Sequence, residues 1–236
     1  QVYVAGELVA ENGKLVKEIP ERKITFQNTV KIPQIISPDS FAIPAGSNEE
    51  KQLVFSAART SMMPGQELKY ESFPAYNGKI VIPDLNEYQF LSVINRHEKG
   101  TMTTVICSDF HLMHGCIAST ISHDSHNMTI AFRHSQDAYV AAKELERIGG
   151  GMCFVEDGKI KCSLALPVAG LMSYLPAPEI AAKIKEMDEW VNYASDNLSP
   201  MLLAIAILAL PVRPGIIITD CGVVRGETLQ FVPLKV

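Results

Sequence analysis

Alternating apolar and polar residues predict β-strands over most of the first half of the chain. Residues 1–16, QVYVAGELVAENGKLV, alternate around Asn12-Gly13, a pair typical of a two-residue hairpin turn. Residues 18–50 are interrupted by four prolines, which favours short strands with extended connections over helices. The pattern therefore predicts a strand-rich N-terminal part.

Short runs rich in β-branched residues predict further strands along the chain. These runs are LVFSAART (53–60), GKIVIPD (78–84), TMTTVIC (101–107), CIASTIS (116–122), MTIAF (128–132), GIIITD (215–220) and LQFVPLKV (229–236). LNEYQFLSVINRH (85–97) fits a helix or a strand by pattern alone, and we expect a strand. MMPGQE (62–67) predicts a turn, and residues 152–166 predict a second hairpin that turns at Asp157-Gly158.

Apolar residues at a 3.6-residue period predict helices only after residue 134. Ser135 is expected to cap the first helix, and Gly149-Gly150-Gly151 to end it. Pro178 is expected to begin a second, whose apolar face holds Ile180, Ile184, Met187, Val191 and Ala194. A third, apolar helix is expected from about Pro200 to Leu210. The predicted fold class is α+β, a strand-rich N-terminal part followed by a mixed sheet packed with a few helices.

Composition and charge exclude several function classes. The 236 residues are 47% hydrophobic and 20% charged, as in an ordinary globular protein, and the net charge of -5 without a basic stripe argues against nucleic acid. Five cysteines, an odd number without dense spacing, favour a reducing cytosol, and the lack of a C-x-x-C pair argues against a zinc ribbon or a thioredoxin-type motif. The longest apolar run, residues 201–212, is too short to cross a bilayer. We therefore expect a cytoplasmic protein without a membrane partner.

Five consecutive polar residues, His123-Asp124-Ser125-His126-Asn127, lie between two predicted strands. Two imidazoles three residues apart can share a metal ion, with Asp124 supplying an oxygen, or the same groups can hold a polar ligand. Asp, Ser and Asn are also common in tight turns, although His is not. The residues alone leave a site and a polar turn equally open.

The other histidines are weaker candidates. His111 and His114 repeat the three-residue spacing without a carboxylate beside them, which favours a surface or core role. His97, in INRHEKG, lies near a predicted strand end, where a solvated position and a functional one are both open.

Four ordered segments carry a resemblance to a known family. GCIASTISHDSHNMTIAF, ELERIGGGM, LPVAGLMS and LALPVRPGIIITDCGVV resemble, in this order, the C-terminal part of bacterial adenine deaminases of the amidohydrolase superfamily. MMPGQEL, INRHEKG and GELVAENGKLV resemble three further segments of that family. The resemblance spans nearly the whole chain and implies the end of a composite β-domain over residues 1–18 and the C-terminal α+β domain over 19–236.

The resemblance implies hydrolytic deamination of adenine, or a related purine, to hypoxanthine and ammonia, as in purine salvage. It implies a divalent metal, manganese or iron, held mainly by a (β/α)₈ barrel. This chain has no H-x-H pair and no room for a barrel, so we expect it to be a piece of a longer polypeptide that begins before Gln1. The expected partners are the N-terminal amidohydrolase barrel, the purine and further copies in a homo-oligomer.

The same resemblance makes residues 123–127 the best candidate site in the chain. We expect catalytic roles for His123, Asp124 and His126, with metal ligation by His123 and His126. Ser125, Asn127 and His97 are expected to bind substrate. Two alternatives stay open: a non-catalytic structural or oligomerisation domain, and an independent enzyme with a small metal site at 123–126.

Overall fold

A computed structural model describes residues 1–18, 25, 27–46, 50–56, 69–195, 201–210 and 215–236. Its helices are α1 (Ser135–Ile148), α2 (Ala177–Ala194) and α3 (Met201–Ile207), with a 3₁₀ turn at Pro38–Phe41. Its strands are β1 (Val2–Val4), β2 (Glu7–Glu11), β3 (Lys14–Leu15), β4 (Gln52–Ser56), β5 (Lys69–Glu71), β6 (Ala75–Tyr76), β7 (Lys79–Ile80), β8 (Tyr88–Ile94), β9 (Met102–Ser108), β10 (Cys116–Ser119), β11 (Met128–Phe132), β12 (Gly151–Glu156), β13 (Lys159–Ala165), β14 (Ile216–Thr219), β15 (Gly222–Arg225) and β16 (Gln230–Val232).

The centre of the molecule is an eight-stranded mixed sheet. Its strand order is β13-β12-β10-β11-β8-β9-β4-β5, and only the β4–β9 pair is parallel. β14, β15 and β16 form a second, antiparallel sheet of three strands. The large sheet with few helices confirms the predicted α+β class.

The first residues form a small sheet of their own, in the order β1-β2-β3. Asn12 and Gly13 have φ angles of 51° and 74°, which confirms the predicted hairpin turn. A second tight turn at Ala5-Gly6 was not predicted. The domain division at residue 18 stays a prediction, because residues 19–24 lie outside the described ranges.

Both faces of the central sheet are covered, which explains why β10 and β11 are buried along their whole length. Alternate residues of β10 enter different cores: Cys116 and Ala118 pack towards α1, whereas Ile117 packs with residues of α2, α3 and β14. Phe154 of β12 stacks on Trp190 of α2 with ring centroids 5.5 Å apart. The connection between β10 and β11 therefore starts and ends in rigid, buried backbone.

The helices occur where the periodicity predicts them, with two corrections. The N-cap of α1 is His134, not Ser135, because the His134 carbonyl accepts hydrogen bonds from the Asp137 and Ala138 amides. Gly149 ends α1 in the left-handed conformation, with φ of 79°. Ile184 was predicted on the buried face of α2, but it is 41% exposed, whereas Met187 is fully buried.

Several predicted elements differ in extent. GKIVIPD contains only the two-residue strand β7 before Pro83, and the described part of LVFSAART ends with β4 at Ser56. The predicted turn at residues 62–67 lies outside the described ranges. β15 was not predicted. Within the described residues, no helix is both long and apolar enough to span a membrane.

Candidate functional site

The candidate site is the connection between β10 and β11, and we call residues His123–Asn127 the histidine loop. The His126 amide donates to the Ser122 carbonyl at 2.6 Å, and the His123 amide donates to the carbonyl of Ala206 in α3 at 2.9 Å. His126 lies in the left-handed region with φ of 50°, which is uncommon for non-glycine residues, although histidine adopts it more often than most. The histidine loop is thus a closed turn anchored on a helix.

The histidine loop presents its first residues to solvent and buries its last. The side chains of His123 and Asp124 are 50% and 65% exposed, and their Nδ1 and Oδ1 atoms lie 3.9 Å apart. The rings of His123 and His126 have centroids 6.0 Å apart. Ser125 is exposed, His126 is half-buried and Asn127 is buried. The structure therefore brings both imidazoles and the Asp124 carboxylate together on one exposed patch.

Asp220, in the turn between β14 and β15, binds the last residue of the histidine loop. Its Oδ1 accepts a hydrogen bond from Asn127 Nδ2 at 2.9 Å, and its Oδ2 accepts from Asn95 Nδ2 at 3.0 Å and from the Thr101 hydroxyl. Burial opposes ionisation of Asp220, but the hydrogen bonds from Thr101 and Asn95 outweigh it and leave the pKa of Asp220 lowered. An ionised carboxylate therefore lies beneath Asn127 at neutral pH.

Arg96, directly after β8, contacts the histidine loop from another side. Its side chain is buried, with Nε donating to the His126 carbonyl and Nη2 donating to the Ala169 carbonyl at 2.9 Å. Burial lowers the pKa of Arg96, but a guanidinium stays charged at neutral pH because its ordinary value is 12.5. The positive charge therefore lies against the backbone of His126.

His97 lies at the base of the histidine loop, where its ring Nε2 is 3.1 Å from the Ser125 carbonyl. Since a carbonyl only accepts, Nε2 carries the proton and donates it. The Ser125 hydroxyl in turn accepts from the Asn127 amide at 3.3 Å. His97, Ser125 and Asn127 are thus joined in one network, and their predicted substrate-binding roles stay predictions.

Two buried polar atoms of the histidine loop, His126 Nδ1 and Asn127 Oδ1, have no hydrogen-bond partner among the residues that the structure describes. Burial, together with the charge of Arg96 and the neighbouring His123, lowers the pKa of His126, so its imidazole is neutral at pH 7. A neutral imidazole offers one donor and one acceptor, and Asn127 Oδ1 is a further acceptor. Because unpaired buried polar groups are costly, these atoms suit contact with a ligand, a water or another part of a longer protein.

The histidine loop does not complete a metal site by itself. Among the described residues, no group of three or more His, Cys, Asp or Glu side chains could hold a metal ion. Protein metal sites use at least three protein ligands as a rule. Metal ligation by His123 and His126 therefore stays a prediction that requires ligands from outside these residues.

The remaining candidates lie apart from the histidine loop. His114 stacks on Tyr193 of α2 at 4.5 Å, with Nδ1 3.6 Å from the Glu156 carboxylate, which places it in a surface packing role.

A cavity of about 530 Å³ has Gln52 and Thr103 in its lining, but no residue of the histidine loop.

Asp220, Asn95 and Thr101 were not predicted to belong to the site. Asp220 is 93 residues from Asn127 and 125 from Asn95, so no local pattern relates them. The sequence offered only a weak signal for two of these residues. Asp220 belongs to the TD pair, and Asn95 to INRHEKG, in segments that resemble the adenine deaminase family.

Comparison with known proteins identifies the class to which this fold and site belong. Residues 66–230 match the family described as the adenine deaminase C-terminal domain, so the chain belongs to that family.

Individual proteins similar to the chain are adenine deaminases as well. The chain is 31% identical over 241 residues to the adenine deaminase of Desulforamulus reducens, covering 100% of this chain and 40% of that protein. It is 34% identical over 242 residues to adenine deaminase 2 of Carboxydothermus hydrogenoformans, covering 99% and 41% respectively. It is 32% identical over 243 residues to the adenine deaminase of Clostridium botulinum, again covering 100% and 40%. The chain thus spans about two fifths of the length of these relatives.

Proposed function

We propose that this chain is the C-terminal portion of an adenine deaminase and that its histidine loop forms one wall of the active site. The complete enzyme would hydrolyse adenine to hypoxanthine and ammonia, with its active site in an amidohydrolase barrel supplied by the rest of the polypeptide. Membership of the C-terminal domain family and the two-fifths coverage of adenine deaminases support this arrangement.

The observation that carries the proposal is a pair of buried atoms, His126 Nδ1 and Asn127 Oδ1, that have no hydrogen-bond partner among the described residues, although Arg96 and Asp220 bind other atoms of the same two residues. A polar turn with no other role would satisfy these atoms within the domain. Their positions, next to the exposed His123 and Asp124, favour a surface that is completed by a ligand or by the barrel.

The chemistry of deamination assigns roles to these groups. Departure of ammonia requires a proton at the leaving nitrogen, and a neutral imidazole such as His126 can first accept a proton and then, as imidazolium, deliver it to that nitrogen. Asp124 and His123 are exposed and can accept or donate at the amine, whereas the Asn127 Oδ1 and the Ser125 hydroxyl suit recognition of purine N–H groups and ring nitrogens. His97 holds the Ser125 backbone at the edge of this surface.

We assign the divalent metal, manganese or iron, mainly to the barrel, because the described residues of this chain do not complete a metal site. When bound there, such an ion would activate water for attack on the ring carbon. Contact of His123 and His126 with that centre is part of the proposal, as are a cytoplasmic location and a homo-oligomeric state.

The test replaces His126 by Asn in the full-length enzyme. Asn tolerates the left-handed backbone that His126 adopts, so His126→Asn removes the imidazole with little strain in the turn. Loss of a general acid or base costs about 10²–10⁴-fold in rate, and we expect kcat/KM for adenine to fall by at least about 100-fold. His134→Asn, at the exposed N-terminus of α1, is the matched control and is expected to change kcat/KM by less than about 2-fold.

Unchanged kcat/KM in His126→Asn would remove the histidine loop from the active site. It would favour the alternative in which this domain has a structural or oligomerisation role.

A further inference from the structure

The carboxylate of Asp220 joins three segments that are far apart in the sequence. It accepts from the side chains of Asn127, Asn95 and Thr101, which lie after β10, after β8 and before β9. Asn127 and Asn95 are only 3% and 5% exposed, so these bonds are shielded from water. Since an ionised carboxylate only accepts, both amide groups turn Nδ2 towards Asp220. The Asn95 amide is fixed in addition by the backbone amides of His97 and Lys99, which donate to its Oδ1, whereas the Asn127 amide is oriented by Asp220.

The orientation of the Asn127 amide matters because it decides which atom is left unpaired. With Nδ2 donating to Asp220 at 2.9 Å, Oδ1 is the atom without a partner. Without the carboxylate, the amide could rotate and present Nδ2 instead, and an acceptor on the surface would become a donor. Asp220 therefore controls the hydrogen-bonding character of the histidine loop.

We propose that Asp220 is a positioning residue that fixes the histidine loop through Asn127 and so sets the direction in which His126 and Asn127 Oδ1 face the substrate. The inference rests on the proposed function for its catalytic consequence, but the positioning itself is a property of this chain. Asp220 does not contact the substrate in this account; it acts through the loop.

Arg96 also holds the histidine loop, through its backbone. Its Nε donates to the carbonyl of His126, the residue that precedes Asn127. Gly170 packs so closely on Arg96 that a Cβ at this position would lie 2.5 Å from Nη1, which leaves the guanidinium little freedom. The two neighbouring loop residues are thus held by opposite charges, the backbone of His126 by Arg96 and the side chain of Asn127 by Asp220.

The test compares Asp220→Asn with the wild type in the full-length enzyme. An Asn at position 220 retains one acceptor but introduces an amide donor that faces the Asn127, Asn95 or Thr101 donors. We expect deuterium uptake of peptides covering residues 121–128 to rise several-fold, while peptides of the β12–β13 hairpin, residues 151–165, keep their wild-type uptake. We expect kcat/KM for adenine to fall by about 10- to 100-fold, as for a misplaced catalytic group.

Two further variants sharpen the test. Thr101→Val removes one donor to Asp220 and leaves the Asn127 bond, so it is expected to raise uptake less than Asp220→Asn. Asp188→Asn, on the exposed surface of α2, is the matched control and is expected to change neither uptake nor kcat/KM. Unchanged uptake across residues 121–128 in Asp220→Asn would overturn the positioning role.

A double-mutant cycle separates this inference from the proposed function. If Asp220 acts through the loop, Asp220→Asn adds little to the loss of kcat/KM already caused by His126→Asn, whereas independent effects would multiply. Raised uptake with normal turnover in both single variants would keep the positioning role and reject the active-site role. Normal uptake in Asp220→Asn with inactive His126→Asn would reject the positioning role alone.

Discussion

His126 combines a backbone conformation found in many turns with two properties that a residue in a plain turn does not need. Its backbone is in the left-handed region, its Nδ1 is buried without a partner, and its pKa is lowered by burial and by the charge of Arg96. A neutral imidazole at neutral pH can act as donor and acceptor in the same reaction cycle. These properties suit the proton transfer proposed for His126.

The lowered pKa of His126 makes a prediction about pH. The unfolded imidazole binds a proton near its ordinary value of 6.5, whereas the folded one binds it only at lower pH. Folding is therefore penalised as the pH falls below 6.5, with the full penalty reached below the folded pKa and none well above 6.5. We therefore expect the difference in unfolding temperature, His126→Asn minus wild type, to increase as the pH is lowered from 8 to 5.

Selective ¹³C-histidine labelling measures the same quantity directly. The signal that His126→Asn removes should titrate with a midpoint below 6.5. A midpoint at or above 6.5 would contradict the buried, neutral imidazole of this account.

Residue identity alone predicted part of this site. The five polar residues of the histidine loop are adjacent in the sequence, and two histidines beside an Asp-Ser pair were a visible signal. Asp220 and Arg96 gave no such signal, because their importance comes from hydrogen bonds that the tertiary fold creates. The support of a loop by distant residues is a property of packing, which no local pattern encodes.

The connection between α1 and β12 sets the position of Arg96 through two close glycine contacts. Gly150 has φ of 99°, and a Cβ there would lie 2.5 Å from the Cα of Gly170. Gly170 in turn packs against Arg96. The glycines predicted to end α1 therefore also allow the segment around Gly170 to approach the base of the histidine loop.

A pair of alanine substitutions tests this contact. A Cβ at position 158, in the β12–β13 turn, would lie 3.9 Å from Gln136 Cγ, which is an ordinary contact. Gly158→Ala should therefore lower the free energy of unfolding by about 1 kcal/mol, because of the positive φ at this position. Gly150→Ala carries the same kind of backbone strain and also a collision with backbone, for which we expect about 1–3 kcal/mol more. Thermal unfolding should thus show a larger loss for Gly150→Ala, and equal losses would show that the Gly150–Gly170 contact is not tight.

The strands and helices were largely predictable because each has a clear period. The segment that forms β8 fitted a helix or a strand by pattern, and its pairing with both β9 and β11 shows that it is a strand. Ile184 shows the limit of periodicity: it lies on the apolar stripe of α2 but is exposed, since the stripe alone does not specify how far the contact with the sheet extends. β15 and the turn that carries Asp220 were missed because the segment is short.

At the scale of the described part of the molecule, several elements support the histidine loop. The central sheet is buried on both faces, and helix α3, the β14–β15 turn and the end of β8 all contact the histidine loop. The chain belongs to the adenine deaminase C-terminal domain family and spans about two fifths of its curated relatives. A surface with unpaired buried atoms suits the proposed contact with the remainder of a longer enzyme.

The most direct test of this account is a crystal structure of the full-length enzyme with hypoxanthine bound. We predict that a side chain of the histidine loop, His126 or His123 first, lies within hydrogen-bond distance of the purine or of a group at the catalytic centre, at about 2.6–3.2 Å. Asp220 should still accept from Asn127 in that structure. A histidine loop that faces solvent, with the purine bound elsewhere, would contradict the central claim.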